Sequence, residues 1–413
     1  MKSVDLLVSG ASQLLTLSGP ARPRSGSEMK ELAAITGGAV AVDKGMVVEA
    51  GPAAEMERKY RAREMLSANG RLVLPGFVDP HTHLVFAGTR EYEMAARLAG
   101  DSYLDILARG GGIHSTVEKT RKASLKELLE SAAVRMRRML EHGTTAVEIK
   151  SGYGLEPETE FRILDAAKSL GEQGPCDTAA TFLGGHVVPK DTGREAYVSW
   201  LCGEALDGSR GRAEFVDVFC DEGAFTLEES IKILNAAKAR GFGLKIHAGQ
   251  FMDLGAAGAA ASLGAVSADH LEHVSADQLA VMRKSGTIAV LLPGASFFMG
   301  LDEYPDAEAI HHAGVAIALS TDFNPGSCPS YSMQMMIALA CHRMGMSAAA
   351  AVTASTVNAA YAMGRGRILG SIEPGKQADL IVIDVETPEQ IPYFYGVNLV
   401  RKVVKKGRVV VDG

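Results

Sequence analysis

With 413 residues, 47% apolar and 22% charged, the chain has the composition of a globular protein, not of a disordered or fibrous one. A formal net charge of −7 gives no electrostatic reason to expect nucleic acid as a partner. Cys176, Cys202, Cys220, Cys328 and Cys341 show no C-x-x-C spacing, which argues against a disulfide framework and for a reduced, cytoplasmic setting.

The start, "MKSVDLLVSGASQLLTL", interrupts its apolar run with Asp, Ser, Gly and Gln, so neither a signal peptide nor a membrane span is expected. Residues 1–70 read as β-rich: "VDLLVSG", "QLLTL" and "GAVAVDKGMVVEAG" are short apolar or alternating runs between turn residues. Residues 366–413 have the same texture in "ADLIVIDV" and "LVRKVVKKGRVVVDG", where Lys405-Lys406-Gly407-Arg408 reads as a hairpin turn with solvated flanks. The two ends are expected to form one small sheet domain.

Residues 71–365 alternate strand-like runs with helical periods. The runs are "FVDPHTHLV", "TTAVEIKS", "TAATFLGG", "FVDVFCDE", "GLKIHAG", "AVSADHLEH", "TIAVLLPG" and "VAIALSTDFN". Amphipathic segments such as "SLKELLESAAVRMRRMLEHG" lie between them, and several end in Gly. This α/β pattern predicts a (β/α)8 TIM-like barrel. A doubly wound sheet is the fallback, but no G-x-G-x-x-G follows the first strand.

In such a barrel, chemistry gathers at the C-terminal ends of the strands. His81 and His83 close the first run, His186 follows the third, His247 ends the fifth, His270 the sixth and Asp322 the eighth. Strand periodicity turns His81 and His83 to one face and Thr82 to the other. With His247 and Asp322 they make a His3Asp set suited to one divalent metal, Zn2+ or Fe2+. Asp217, Asp221 and Glu222 are further candidates for the mouth, but the fourth strand carries no Lys to bridge a second metal. His142, beside Gly143, reads as a helix-end residue, and His311, His312 and His342 as surface or packing residues. His273 ranks below His270, and His114, after "ARGGG", is a candidate lid residue.

"PGFVDPHTH" after a β-rich start, His at strand ends five and six and Asp at strand end eight resemble the amidohydrolase superfamily. The resemblance implies a metal-dependent barrel with a small β-sandwich made from both termini. "TREYEM", "GGGIHSTV", "EIKSGYGL", "FLGGHVVP", "SADHL" and "STDFNPGS" narrow it to the branch that opens imidazolone rings in histidine degradation. That branch implies hydrolysis of 4-imidazolone-5-propanoate, a small molecule with a carboxylate arm, to N-formimidoyl-L-glutamate.

By the same resemblance His81, His83, His247 and Asp322 take the metal positions, and Arg90, Tyr153 and His186 bind substrate. Asn324, Gly326 and Ser327 match the loop holding the carboxylate released on ring opening. One position departs: some members carry Glu three residues after the fifth-strand His, where this chain has Gln250. Glutamine cannot act as a base, so Gln250 is expected to hydrogen-bond substrate or water, leaving the proton to Asp322 assisted by His270. A homodimer is expected. Two other readings use the same residues: a related cyclic amidohydrolase or nucleobase deaminase, and an inactive barrel acting as a binding protein.

Overall fold

Eight parallel strands stand in chain order around a central axis in the computed structural model, which describes residues 1–101, 109 and 111–413. They are β1 (Phe77–Asp79), β2 (Thr144–Lys150), β3 (Asp177–Gly185), β4 (Phe215–Cys220), β5 (Gly243–Ala248), β6 (Ser267–His270), β7 (Ile288–Leu291) and β8 (Ile317–Leu319). Each pairs with its sequence neighbour, as βαβ crossovers require. The expected (β/α)8 barrel is present.

The last seam, between β8 and β1, is closed mainly by residues beyond the ladders. Thr321 donates through Oγ1 to Asp79 Oδ2 at 2.6 Å and through its backbone N–H to Asp79 Oδ1 at 3.1 Å. His83 N–H then donates to Phe323 O at 2.9 Å. This seam lays the His81–His83 segment beside the Asp322 loop.

Three of the longer helices carry start signals in their sequence. Leu125–Glu141 opens with a capping box of Ser124 and Glu127, and Leu227–Ala239 with one of Thr226 and Glu229. Pro157–Gln173 carries its proline in the first turn, where a missing N–H costs nothing.

The termini build two further sheets. Met46–Pro52, Gly38–Asp43, Lys2–Ser9 and Tyr60–Ser67 form the four-stranded one. Arg408–Asp412, Val400–Lys405, Leu380–Ile383, Leu72–Pro75, Gln13–Leu15 and Ala34–Thr36 form the six-stranded one. Leu6, Val8, Val40, Val42, Val73, Leu380, Val382 and Val404 pack together as the sandwich core. Leu72–Pro75 runs straight into β1 through Gly76, where a Cβ would stand 2.3 Å from Thr145 Oγ1, so only glycine admits the neighbouring strand.

The Lys405–Arg408 hairpin departs from expectation on one point. Lys405 is buried, because its ammonium lies 2.6 Å from both Asp177 and Asp379. Lys406 adds a contact of 2.9 Å to Asp177 at the start of β3, so the hairpin ties the sandwich to the barrel.

Candidate active site

Beyond Asp79 the chain stays extended, and His81 and His83 turn inward on alternate residues. Thr82 points away and donates to Glu148 O at 2.6 Å. His247, on β5, brings its ring to 4.4 Å from that of His81, and candidate ligand atoms of His81, His83 and His247 all lie within 4.8 Å of one another. Asp322 Oδ1 stands 3.6 Å from His81 Nε2 and 3.5 Å from His83 Nε2.

Carboxylates behind two of these rings fix their tautomers. His81 Nδ1 lies 2.6 Å from Asp269 Oδ2, and His247 Nδ1 lies 3.0 Å from Asp217 Oδ1. A carboxylate accepts, so each Nδ1 carries the hydrogen and each Nε2 keeps its lone pair. His81 Nε2, His83 Nδ1 and His247 Nε2 are buried and have no hydrogen-bond partner among the described residues. Burial, followed by the nearby Lys150 charge, holds His81 well below the usual imidazole value, so it is neutral.

Below the rings sits a buried ionic layer. Lys150 Nζ contacts Glu148 Oε1 and Asp217 Oδ2, both at 2.7 Å, and Asp269 Oδ2 at 3.4 Å. Lys245 pairs with the other oxygen of Glu148. Burial pushes Lys150 down, but Asp217, Glu148 and Asp269 outweigh it and hold it above the ordinary lysine value. Three carboxylates thus face two ammoniums, and Asp322 adds a further negative charge. Buried imidazole nitrogens without partners, over a layer that is negative in sum, fit a divalent cation.

Burial pushes the Asp322 carboxyl up, but His83 and His270 outweigh it and hold it below the usual range. Its φ of 52° is left-handed, and so are His270 at 79° and Leu271 at 68°. Such conformations are costly for side-chain-bearing residues and cluster at functional sites. In an unbroken strand Asp269 and His270 would face opposite sides. The turn at His270 lets Asp269 reach His81 from below while His270 lines the cavity above. His270 Nδ1 faces Glu272 Oε2 at 3.8 Å.

The sequence-predicted substrate residues converge on one cavity of about 160 Å³, lined by Arg90, Tyr153, His186, Gln250, Asn324, Gly326 and Ser327 together with His83, His247, His270 and Asp322. His186 stacks on His83 at 5.1 Å and engages Gly152 O through Nδ1 at 3.1 Å, which leaves Nε2 as an acceptor. Burial pushes the Tyr153 hydroxyl above its ordinary value. Asn324 Oδ1 accepts from the N–H groups of Gly326 and Ser327, both at 2.8 Å, so it shapes its own loop. A Cβ on Gly326 would lie 2.2 Å from Arg90 Nη1, so a larger residue there would displace the guanidinium from its present place.

Buried acids brace the mouth from behind. Glu160 accepts from the N–H groups of Gly152, Gly154 and Leu155, at 3.0, 2.7 and 2.8 Å, and so shapes the Tyr153 loop. Asp221 accepts from those of Gln250, Phe251 and Met252, at 2.8, 2.9 and 3.0 Å. Glu93 grips Arg90. Sequence reasoning placed Asp217 and Asp221 near the mouth without these roles and did not single out Glu93, Glu148, Lys150, Glu160, Lys245 or Asp269. For Glu148, Lys150, Lys245 and Asp269 the available signal was charge inside otherwise apolar runs, "VEIK", "LKIH" and "SADH", since a buried charge requires a partner.

The remaining histidines lie apart. His142 caps Leu125–Glu141, and His311 and His312 end the helix Ala307–His312. His342 engages Pro392 O at 3.1 Å, and His273 pairs with Glu303 at 3.3 Å. His114 belongs to the first turn of the helix Ile113–Lys122. Ala108 and Gly110, part of the loop on which its lid reading rests, lie outside the described residues.

Comparison with known proteins agrees with this geometry. A model of the amidohydrolase family matches residues 72–410. An imidazolonepropionase of Symbiobacterium thermophilum is 46% identical, covering 100% of this chain and 98% of its own. One of Geobacillus kaustophilus is 44% identical over 98% of each chain. The fold resembles that of a zinc-bound adenosine deaminase from Xanthomonas campestris, with a TM-score of 0.74 at 19% identity, covering 100% of this chain and 94% of the other.

Proposed function

From the premise that this chain belongs to the amidohydrolase family, we propose that it hydrolyses the ring of 4-imidazolone-5-propanoate to N-formimidoyl-L-glutamate. The observation that carries the reading is one cavity lined both by Arg90 and by His83, His247 and Asp322, with His81 buried behind them, alongside near full-length similarity to imidazolonepropionases.

His81, His83, His247 and Asp322 would hold the metal, Zn2+ or Fe2+. When bound, such a cation supplies Lewis acidity that polarises a ring carbonyl and makes water acidic enough to attack near neutral pH. Arg90 holds the propanoate arm, since its planar fork matches a carboxylate. His186, neutral with Nε2 accepting, takes a ring N–H. Gln250, its backbone fixed by Asp221, offers an amide that can both donate and accept. Asp322 accepts the proton of the attacking water at Oδ and passes it on. His270, facing Glu272, assists that transfer to the ring nitrogen as the C–N bond breaks. Asn324, Gly326 and Ser327 bound the space in which the new carboxylate appears.

Metal analysis and imidazolone propanoate hydrolysis measured on one preparation test the reading. One metal per chain with turnover is expected. Turnover of neutral bases and none of imidazolone propanoate would replace it with a deaminase.

A further inference from the structure

Arg90 does not stand alone at the cavity wall. Glu93, itself 3% exposed, takes its guanidinium in a two-point grip, Nε to Oε1 at 2.9 Å and Nη2 to Oε2 at 2.7 Å. The same carboxylate accepts from Gly112 N–H at 2.7 Å and from the Tyr92 hydroxyl at 3.2 Å. Gly112 is the N-cap of the helix Ile113–Lys122, and Ile113 lines the cavity beside Arg90. Tyr92 continues the strap to Ser115 Oγ at 2.9 Å, and Lys119 Nζ donates to Thr89 O at 2.9 Å. One acid therefore holds two walls of the cavity, the guanidinium and the helix entry.

The grip has a chemical consequence. An arginine side chain has many rotamers, and freezing them on binding costs affinity. With Nε and Nη2 engaged by Glu93, the plane of the fork and its approach to Gly326 are set before a ligand arrives. The geometry points to Glu93 as a positioning residue that pre-aligns Arg90 for a ligand carboxylate and locks that alignment to the helix Ile113–Lys122. This rests on the reading of Arg90 as the clamp for the substrate's acidic arm.

The inference is tested on the zinc-loaded protein by calorimetry with two probes, imidazole-4-propanoate and imidazole, which differ by the arm. Glu93→Gln, which keeps the shape but replaces one acceptor oxygen by a donor, is expected to weaken the propanoate probe about tenfold or more and to leave imidazole unchanged. Arg90→Ala should do the same, and the double variant should bind no more weakly than Arg90→Ala alone. Unchanged imidazole binding also certifies an intact site. If Arg90→Ala leaves the propanoate probe unaffected, the clamp reading itself fails. If Arg90→Ala weakens it and Glu93→Gln does not, only the role of Glu93 is overturned. Equal loss for both probes in Glu93→Gln overturns it as well, because the acid would then be a general structural support.

Discussion

Asp269 Oδ2 stands 2.6 Å from His81 Nδ1, and this contact decides that Nε2 is the nitrogen His81 offers to a cation. The acid and the ring come from β6 and from the extension of β1, three strands apart around the barrel. Asp269→Asn keeps the size but removes the charge that orients the ring. It should lower zinc affinity roughly 10- to 100-fold, read by competition with a chromophoric chelator. Unaltered affinity would show that His81 is oriented by its backbone alone.

Asp322 carries the proton in the proposed reaction, and its carboxyl is held ionised by His83 and His270 despite burial. Asp322→Asn, assayed at saturating metal, should lose turnover by about 100- to 10,000-fold. A kcat within a few-fold of the parent would remove Asp322 from the proton path.

Asp221 supplies acceptors to three successive N–H groups of the Gln250 loop. Asp221→Ala strands the buried Gln250 N–H, at a cost of roughly 1–3 kcal/mol, whereas water can reach the donors of the exposed Phe251 and Met252. The variant should melt earlier and show a raised KM for imidazolone propanoate, because Gln250 loses its fixed backbone. An unchanged KM would mean that Gln250 does not meet the substrate.

The junction between sandwich and barrel has a pH signature. Burial pushes Asp177 up, yet Lys405 and Lys406 outweigh it and bring its carboxyl from 3.8 to about 2. The folded-state value is the lower one, so the stabilisation is complete above about pH 4 and is lost as pH falls toward 2. It amounts to about 2 kcal/mol. Asp177→Asn should therefore be less stable than the parent in urea at pH 6, with the gap narrowing on acidification. A gap that does not change with pH would contradict the ion pair.

The barrel, the sandwich and the candidate metal cluster were legible because they are written in local signals. Strand runs alternate with amphipathic helices, and metal-capable residues fall at strand ends, as His81, His83, His247 and Asp322 do. What lay behind them was not legible, because no short-range rule couples Lys150 to Asp269, or Glu160 to the N–H of Gly154, before the chain is folded. The flanks of the Lys405 turn read as solvated for the same reason: the partners of Lys405 are Asp177 and Asp379, brought from β3 and from the turn before Leu380–Ile383. His270 shows a further limit, since its place at the cavity depends on a left-handed backbone that strand alternation does not anticipate.

The bracing of the mouth loops separates what these residues recognise from what holds them. Tyr153 and Gln250 line the cavity, whereas the course of their backbones is dictated by Glu160 and Asp221 on the far side of the chain. The front positions can therefore be exchanged during adaptation to another ring or another arm without redrawing the loops that present them. The acids at the back have no such freedom, and a change there alters every residue the loop carries. Engineering a new substrate into this barrel should begin at the front and leave the rear carboxylates alone.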